Sequence, residues 1–176
     1  METDKNIEPI TDFITGETLP NVGAEENRQQ VERFLVETAG FAKKDVRINV
    51  PLSVTVQNES YNGRVDLTVS AKGRTVMVIK CVAGSPGSWL REMVAAARLL
   101  EERPMPWAVV SDGQHVVAMD LTSGQTVEGS LGEIISLDKA AQLVDLPPLP
   151  KLSDKQRLKE SILFRSYNMD QVNVAR

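Results

Sequence analysis

The chain is short of the residues that most metal and nucleophile sites use. Its 176 residues contain one cysteine, Cys81, and one histidine, His115. A single thiol closes no internal disulfide, and a single imidazole excludes a two-histidine metal site. Paired-cysteine zinc spacing, a Gly-x-x-x-x-Gly-Lys phosphate loop, internal repeats and low-complexity blocks are all missing from the sequence. No apolar run approaches the roughly 20 residues that span a bilayer, so no membrane partner is expected. The opening METDKNIEPITD lacks the basic-then-apolar order of a signal peptide, which with the lone thiol suits a reducing, cytoplasmic setting. Positive charge is also scarce: 20 Lys and Arg face 24 Asp and Glu, leaving a net charge of −4. An overall field of that sign does not draw nucleic acid, and any DNA contact must come from a local patch.

What remains is ordinary globular material, 41% hydrophobic and 25% charged, in a length that suits one full core. Residues 1–20 are polar with scattered apolar anchors and read as an extended arm, residues 21–145 as the domain, and residues 146–176 as a connector and C-terminal helix. The first helix spans about 24–38, with Glu25 and Glu26 in its first turn and Val31, Phe34, Leu35 and Thr38 as its apolar stripe, and Gly40 ends it. Residues 46–56 alternate like a strand in which Pro51 argues for an edge or a bulge. Ser85 and Pro86 suit the start of a second helix reaching about 102. Strands follow at 107–111 and 115–121 around an Asp112-Gly113 turn, with a short one near 125–128 and a weaker helical region at 131–143. Beyond Leu146-Pro-Pro-Leu-Pro150, Ser153 and Gln156 form a capping-box signature. The helix they open carries Leu158, Ile162 and Leu163 on one face, which must dock on its own domain or on a second copy.

Residues 61–82, YNGRVDLTVSAKGRTVMVIKCV, are the segment whose side chains suggest chemistry. They read as two alternating strands around a Lys72-Gly73 turn, with Asp66 beside Thr68 and Ser70 on one face and Lys80 beside Val78 and Val76. Each apolar strand thus carries one charge. Burying either alone costs several kcal/mol, so Asp66 and Lys80 should meet each other or sit in an open, wet site. Cys81 reads as a small core residue and His115 as a surface residue beside its turn.

The order Gly63-Arg64-Val65-Asp66, a turn, an apolar strand ending in lysine and then a helix resembles the PD-(D/E)XK nucleases. The likeness is to the N-terminal nuclease domain of type I restriction enzyme R subunits, which PWAVVSDGQHVVAMDLTSG resembles too, and it covers about residues 22–128. It implies an α/β fold with a mixed central sheet flanked by helices, a restriction-endonuclease-like core of helix, three strands, helix and two strands. It implies Mg²⁺ bound by Asp66, with Lys80 assisting the attacking water. The backbone carbonyl of Ile79 would add an oxygen. Glu25, followed by Arg28, would either reach the metal from the first helix or serve simply as a first-turn acid. Arg91 and Arg98, seven apart on the second helix, would touch DNA phosphate or form a solvated face with an Arg98 to Glu102 pair. The chain departs from the family at Val78-Ile79-Lys80, where the family has Glu-x-Lys. An isopropyl group offers nothing to a hard cation, so metal affinity should be low.

The expected function is therefore a stand-alone relative of these nuclease domains, DNA-associated, a Mg²⁺-dependent endodeoxyribonuclease if active, with hydrolysis weakened or lost. The alternatives are a catalytically silent module of the same fold that binds nucleic acid or a partner protein, and an unrelated mixed α/β protein whose hairpin charges are incidental.

Overall fold

The structure is a computed structural model that describes residues 7–169. Six strands form one sheet in chain order: β3 (Val46–Val56), β4 (Glu59–Ala71), β5 (Arg74–Cys81), β6 (Trp107–Ser111), β7 (His115–Asp120) and β8 (Gln125–Ser130). Neighbours pair antiparallel except β5 and β6, which run parallel because a helix lies between them. That helix is α2 (Leu90–Leu99), entered through a single 3₁₀ turn, Pro86–Trp89. Proline serves the first turn as expected, but the Ser85 side chain makes no capping bond. The helix stops at Leu99, short of the expected 102.

Helices cover both faces. On one side α1 (Glu25–Arg33), continued by a π-helical turn Phe34–Thr38, packs Val31 and Leu35 with Phe41 against Leu67, Val69, Ile79 and Val109, joined by Ala140 of α3 (Leu137–Asp145). On the other, Met93, Val94 and Ala97 of α2 and Phe164 of α4 (Asp154–Tyr167) pack against Val65, Val78, Ala108 and Val110. Pro51 lies in β3, an edge of the sheet, where a missing donor is tolerated.

The expected hairpin is present, with two irregularities that strict alternation does not anticipate. The β4–β5 register shifts between Val69 and Ser70, so Val76 is an extra residue on β5 and joins the α1-side core with Met77, rather than the face of Val78 and Lys80. In β3, Asn49 takes φ 50°, and the ladder runs from Ile48↔Leu67 to Val50↔Val65 without an Asn49/Asp66 pair. Val46 and Ile48 pack on the α1 side, Val50, Leu52 and Val54 on the α2 side. Asp66 thus occupies the level at which the strand pair passes from one core to the other.

The polar arm contains β1 (Pro9–Thr11) and β2 (Thr18–Pro20), paired as a small hairpin. The C-terminal helix forms with the full capping box at Ser153 and Gln156. It docks on its own domain, but not through the stripe expected of it. Leu158 and Ile162 are 48% and 49% exposed, Leu163 is half-buried, and Phe164 is the residue that enters the core. Its ring touches β4 at Gly63, where a Cβ would stand 2.8 Å from the ring. A side chain there would displace the helix.

Candidate functional site

The two charged residues of the central hairpin lie at the end of β5, before the chain leaves the sheet for α2. The register Leu67↔Ile79 sets Asp66 opposite Lys80. Asp66 is partly buried, and its Oδ2 accepts the backbone N–H of Cys81 at 2.7 Å. Burial pushes the Asp66 carboxyl above the usual carboxylate range, a rise only partly offset by the Cys81 N–H, Lys80 and Arg64. Cys81 is buried, and desolvation together with Asp66 drives its thiol pKa well up, which suits a core residue and not a nucleophile.

Lys80 takes a partner the sequence reading did not name. Its Nζ lies 3.1 Å from Oε2 and 3.4 Å from Oε1 of Glu92, in the first turn of α2, and 4.9 Å from the centre of the Trp89 ring. Only Oε1 receives it in hydrogen-bonding geometry. Oε2 is buried and has no hydrogen-bond partner among the described residues, so it has Coulomb contact but no directed donor. Glu92 is fully buried, and Asn168 Nδ2 also donates to its Oε1 at 3.2 Å. A signal for it existed in the sequence. Positions three and four away from Glu92 in the 3₁₀ turn and α2 are Ser88, Trp89, Ala95 and Ala96. None is basic, so an acid in that apolar stretch must find its counter-charge elsewhere in the fold.

Glu25 belongs to a different constellation. Its carboxylate is held 2.6 Å from Arg28 Nη2, while Arg28 Nη1 contacts Asp12 at 2.8 Å and Glu32 at 2.7 Å. Asp12 and Glu32 are fully buried, so the cluster ties the arm to α1. Burial opposes ionisation of Asp12, yet the Thr15 N–H, Arg28 and Gln29 together hold its pKa below the usual value. Burial of Glu32 prevails over Arg28 and pushes its pKa up to about 7. The cluster stays near the site, since Asn27 Nδ2 donates 2.8 Å to the carbonyl of Val82 just after β5.

The two arginines expected to meet phosphate both face Glu160 of α4: Arg98 Nη1 at 2.6 Å and Arg91 Nη1 at 3.5 Å. The sequence-level alternative, an Arg98 to Glu102 pair, is replaced by this contact, and Glu102 pairs with Lys151 instead. Arg91 and Arg98 keep 49% and 32% of their side-chain surface in solvent. Val78 is fully buried in the α2-side core, and Ile79 lies between Leu67 and Val109. His115 is exposed beside its turn and contacts Asp112 at 3.1 Å.

The donor set can be tested against a hard cation. Among the described residues no group of three or more His, Cys, Asp and Glu side chains could hold a metal ion. Two carboxylates, Asp66 and Glu92, flank Lys80, and one of their oxygens is the partnerless Glu92 Oε2. The Lys80 ammonium already occupies Glu92, so the set leaves Asp66 as a single carboxylate for Mg²⁺, less than such an ion usually takes from a protein. A cavity of about 500 Å³ lies at the opposite end of β5, lined by Arg74, Val76, Arg103, Leu143, Leu146 and Pro148 among others. It is separated from Lys80 by four residues of strand, roughly 13 Å.

The fold and hairpin define a mixed α/β domain in which a six-stranded sheet carries an aspartate and a lysine on adjacent strands ahead of a flanking helix. Residues 23–134 match the type I restriction enzyme R protein N terminus (HSDR_N) family, and the chain belongs to that family. Among solved structures it is similar to a fragment of a putative HsdR subunit of a type I restriction enzyme from Vibrio vulnificus YJ016, with a TM-score of 0.55 at 14% identity. That likeness shows the fold, covering 70% of this chain and 25% of the other, so this chain spans a minor part of that protein's length. No curated protein matches the chain. No helix among the described residues is long and apolar enough to cross a membrane.

Proposed function

We propose that the protein is a DNA-associated domain of the type I restriction R-subunit kind in which Mg²⁺-dependent phosphodiester hydrolysis is weakened or lost. The observation that carries this reading is the pairing of Lys80 with a buried Glu92 while Val78 stands apolar and buried on the same strand face. Asp66 would be the carboxylate that holds the cation, which supplies charge stabilisation to the phosphoryl oxygens when bound, because Glu92 is already taken by Lys80. Glu25 is a poorer ligand than its place in α1 suggests, because Arg28 already holds its carboxylate. Lys80, neutralised by Glu92, is less available to orient an attacking water, and Asp66 is partly engaged by the Cys81 N–H. Both effects lower activity without abolishing cation binding.

DNA association in this reading rests on the exposed parts of Arg91 and Arg98, since the net charge of −4 gives no general attraction. Plasmid nicking in Mg²⁺ and in Mn²⁺, compared with Asp66→Asn, tests the chemistry. Slow nicking that Asp66→Asn removes supports a weakened enzyme, no nicking with DNA binding retained supports the silent module, and rapid nicking overturns the reading. Arg91→Ala with Arg98→Ala should lower the salt slope of log K for duplex DNA by about 2, one per lost phosphate contact.

A further inference from the structure

The cavity of about 500 Å³ at the far end of β5 is built from side chains that the hairpin site does not use. One wall includes Val76, the extra residue of the β5 bulge, which is buried in the α1-side core. Bulges recur beside binding sites because they re-aim a side chain. Another wall is the proline segment after α3, where Leu146 lines the cavity and yet keeps 53% of its surface in solvent. Exposed ion pairs tie that segment down at both ends, Lys72 to Asp145 at 2.7 Å and Lys151 to Glu102. Between them two arginines hold its backbone. Arg74 Nη1 donates to the Val144 carbonyl at 2.9 Å and Arg103 Nη1 to the Leu149 carbonyl at 3.2 Å, and both arginines line the cavity. A guanidinium has five N–H donors, so these bonds leave most of each fork unspent. Among the described residues neither guanidinium has a carboxylate within ion-pair distance, because Asp145 and Glu102 are matched with the lysines.

We infer that this cavity binds a small carboxylate with an apolar body. The head group meets Arg74 and Arg103, and the body covers Val76, Leu143 and Leu146. The volume lies within the roughly 300–1,000 Å³ of small-molecule sites, which combine apolar walls with a few polar groups that fix orientation. A guanidinium fork matches a carboxylate in geometry as well as in charge. The charge count favours a singly charged head: two unmatched guanidiniums line the cavity against one unmatched acid, Glu101. A bound apolar body would also cover Leu146, which the fold leaves half in water. The cavity stands apart from Lys80, so its occupancy requires neither a metal ion nor DNA.

Two fluorescent dyes with related bodies test this on the full chain: anilinonaphthalene sulfonate, whose sulfonate stands in for the carboxylate, and uncharged phenylnaphthylamine. The charged dye should bind saturably, one per chain, and naphthoate should displace it. Arg74→Met combined with Arg103→Met should weaken the charged dye about tenfold and leave the uncharged one unchanged. Leu146→Ala should weaken both about threefold. Binding of the uncharged dye shows that the cavity is intact in the arginine variant, so selective loss of the charged dye cannot come from misfolding. Equal weakening of both dyes by the arginine substitutions overturns recognition of the anion. Failure of either dye to bind, failure of naphthoate to displace the charged dye, or dye binding that Leu146→Ala leaves unaltered overturns the site.

Discussion

Lys80 and Glu92 form an ion pair, 3.1 Å from Nζ to Oε2, that joins the strand of the central hairpin to the helix after it. Lys80 keeps about a fifth of its side chain in solvent, at 22%, whereas Glu92 is buried. The two partners should therefore respond unequally to substitution. Lys80→Met leaves a buried carboxylate unpaired and should lower unfolding stability by about 3 kcal/mol, while Glu92→Gln leaves an ammonium that keeps some contact with solvent and should cost less than half of that. Urea denaturation of the two variants gives the ratio, and equal losses would show that the pair is not the asymmetric contact described.

Val78 invites restoration of the family's acid, and the structure predicts how that fares. The side chain is fully buried among the apolar groups of α2, β6 and α4. Val78→Glu should be destabilised by several kcal/mol, the order expected for burying a carboxylate whose nearest cation is already engaged by Glu92. A gain in Mg²⁺ affinity without loss of stability in thermal melts would mean that the α2-side core opens more readily than its packing implies.

Gly63 and Phe164 give a packing test of the C-terminal helix. A Cβ at position 63 would stand 2.8 Å from the Phe164 ring, too close for any real contact. Gly63→Ala should lower stability by about 1–3 kcal/mol through overpacking, and Phe164→Ala by about 3–5 kcal/mol through the cavity it leaves. In the double variant the two losses should be less than additive, because removing the ring makes room for the new methyl.

Stability should fall as pH rises from about 4.5 to about 7 through Glu32. Its pKa is 4.5 in an ordinary setting and about 7 in the folded chain, where burial prevails over Arg28. The folded state holds that proton more tightly than the unfolded state, so the contribution is complete below the lower value and is lost as pH passes the upper one. The whole shift corresponds to on the order of 3 kcal/mol. Asp66, raised by its own burial, works in the same sense, whereas Asp12, whose pKa is lowered, loses its contribution only in acid below about 3.8. Glu32→Gln should flatten the difference between urea midpoints at pH 5 and pH 8, and an unchanged difference would place the titration elsewhere.

The sequence by itself determined the element order, because helix and strand periodicities and turn residues are local. Lys72-Gly73 and Asp112-Gly113 place two hairpin turns, and Ser153 with Gln156 opens α4 where the capping box requires. It also pointed to the family, whose match over residues 23–134 includes the Gly63-Arg64-Val65-Asp66 stretch and Lys80 of the next strand. Tertiary structure decided which charges meet. Alternation could not reveal the bulge that turns Val76 to the other core, since a bulge is stabilised by the partner strand and not by its own residues. Helical spacing marked Leu158 and Ile162 as the docking face of α4, but the bare backbone of Gly63 leaves room for Phe164, which turns inward instead. Glu92 reaches Lys80 from 12 positions further along the chain, and Asn168 reaches Glu92 from 76 positions beyond that. A pairing over that separation depends on how α2 and α4 are laid across the sheet, which no local pattern in the sequence encodes.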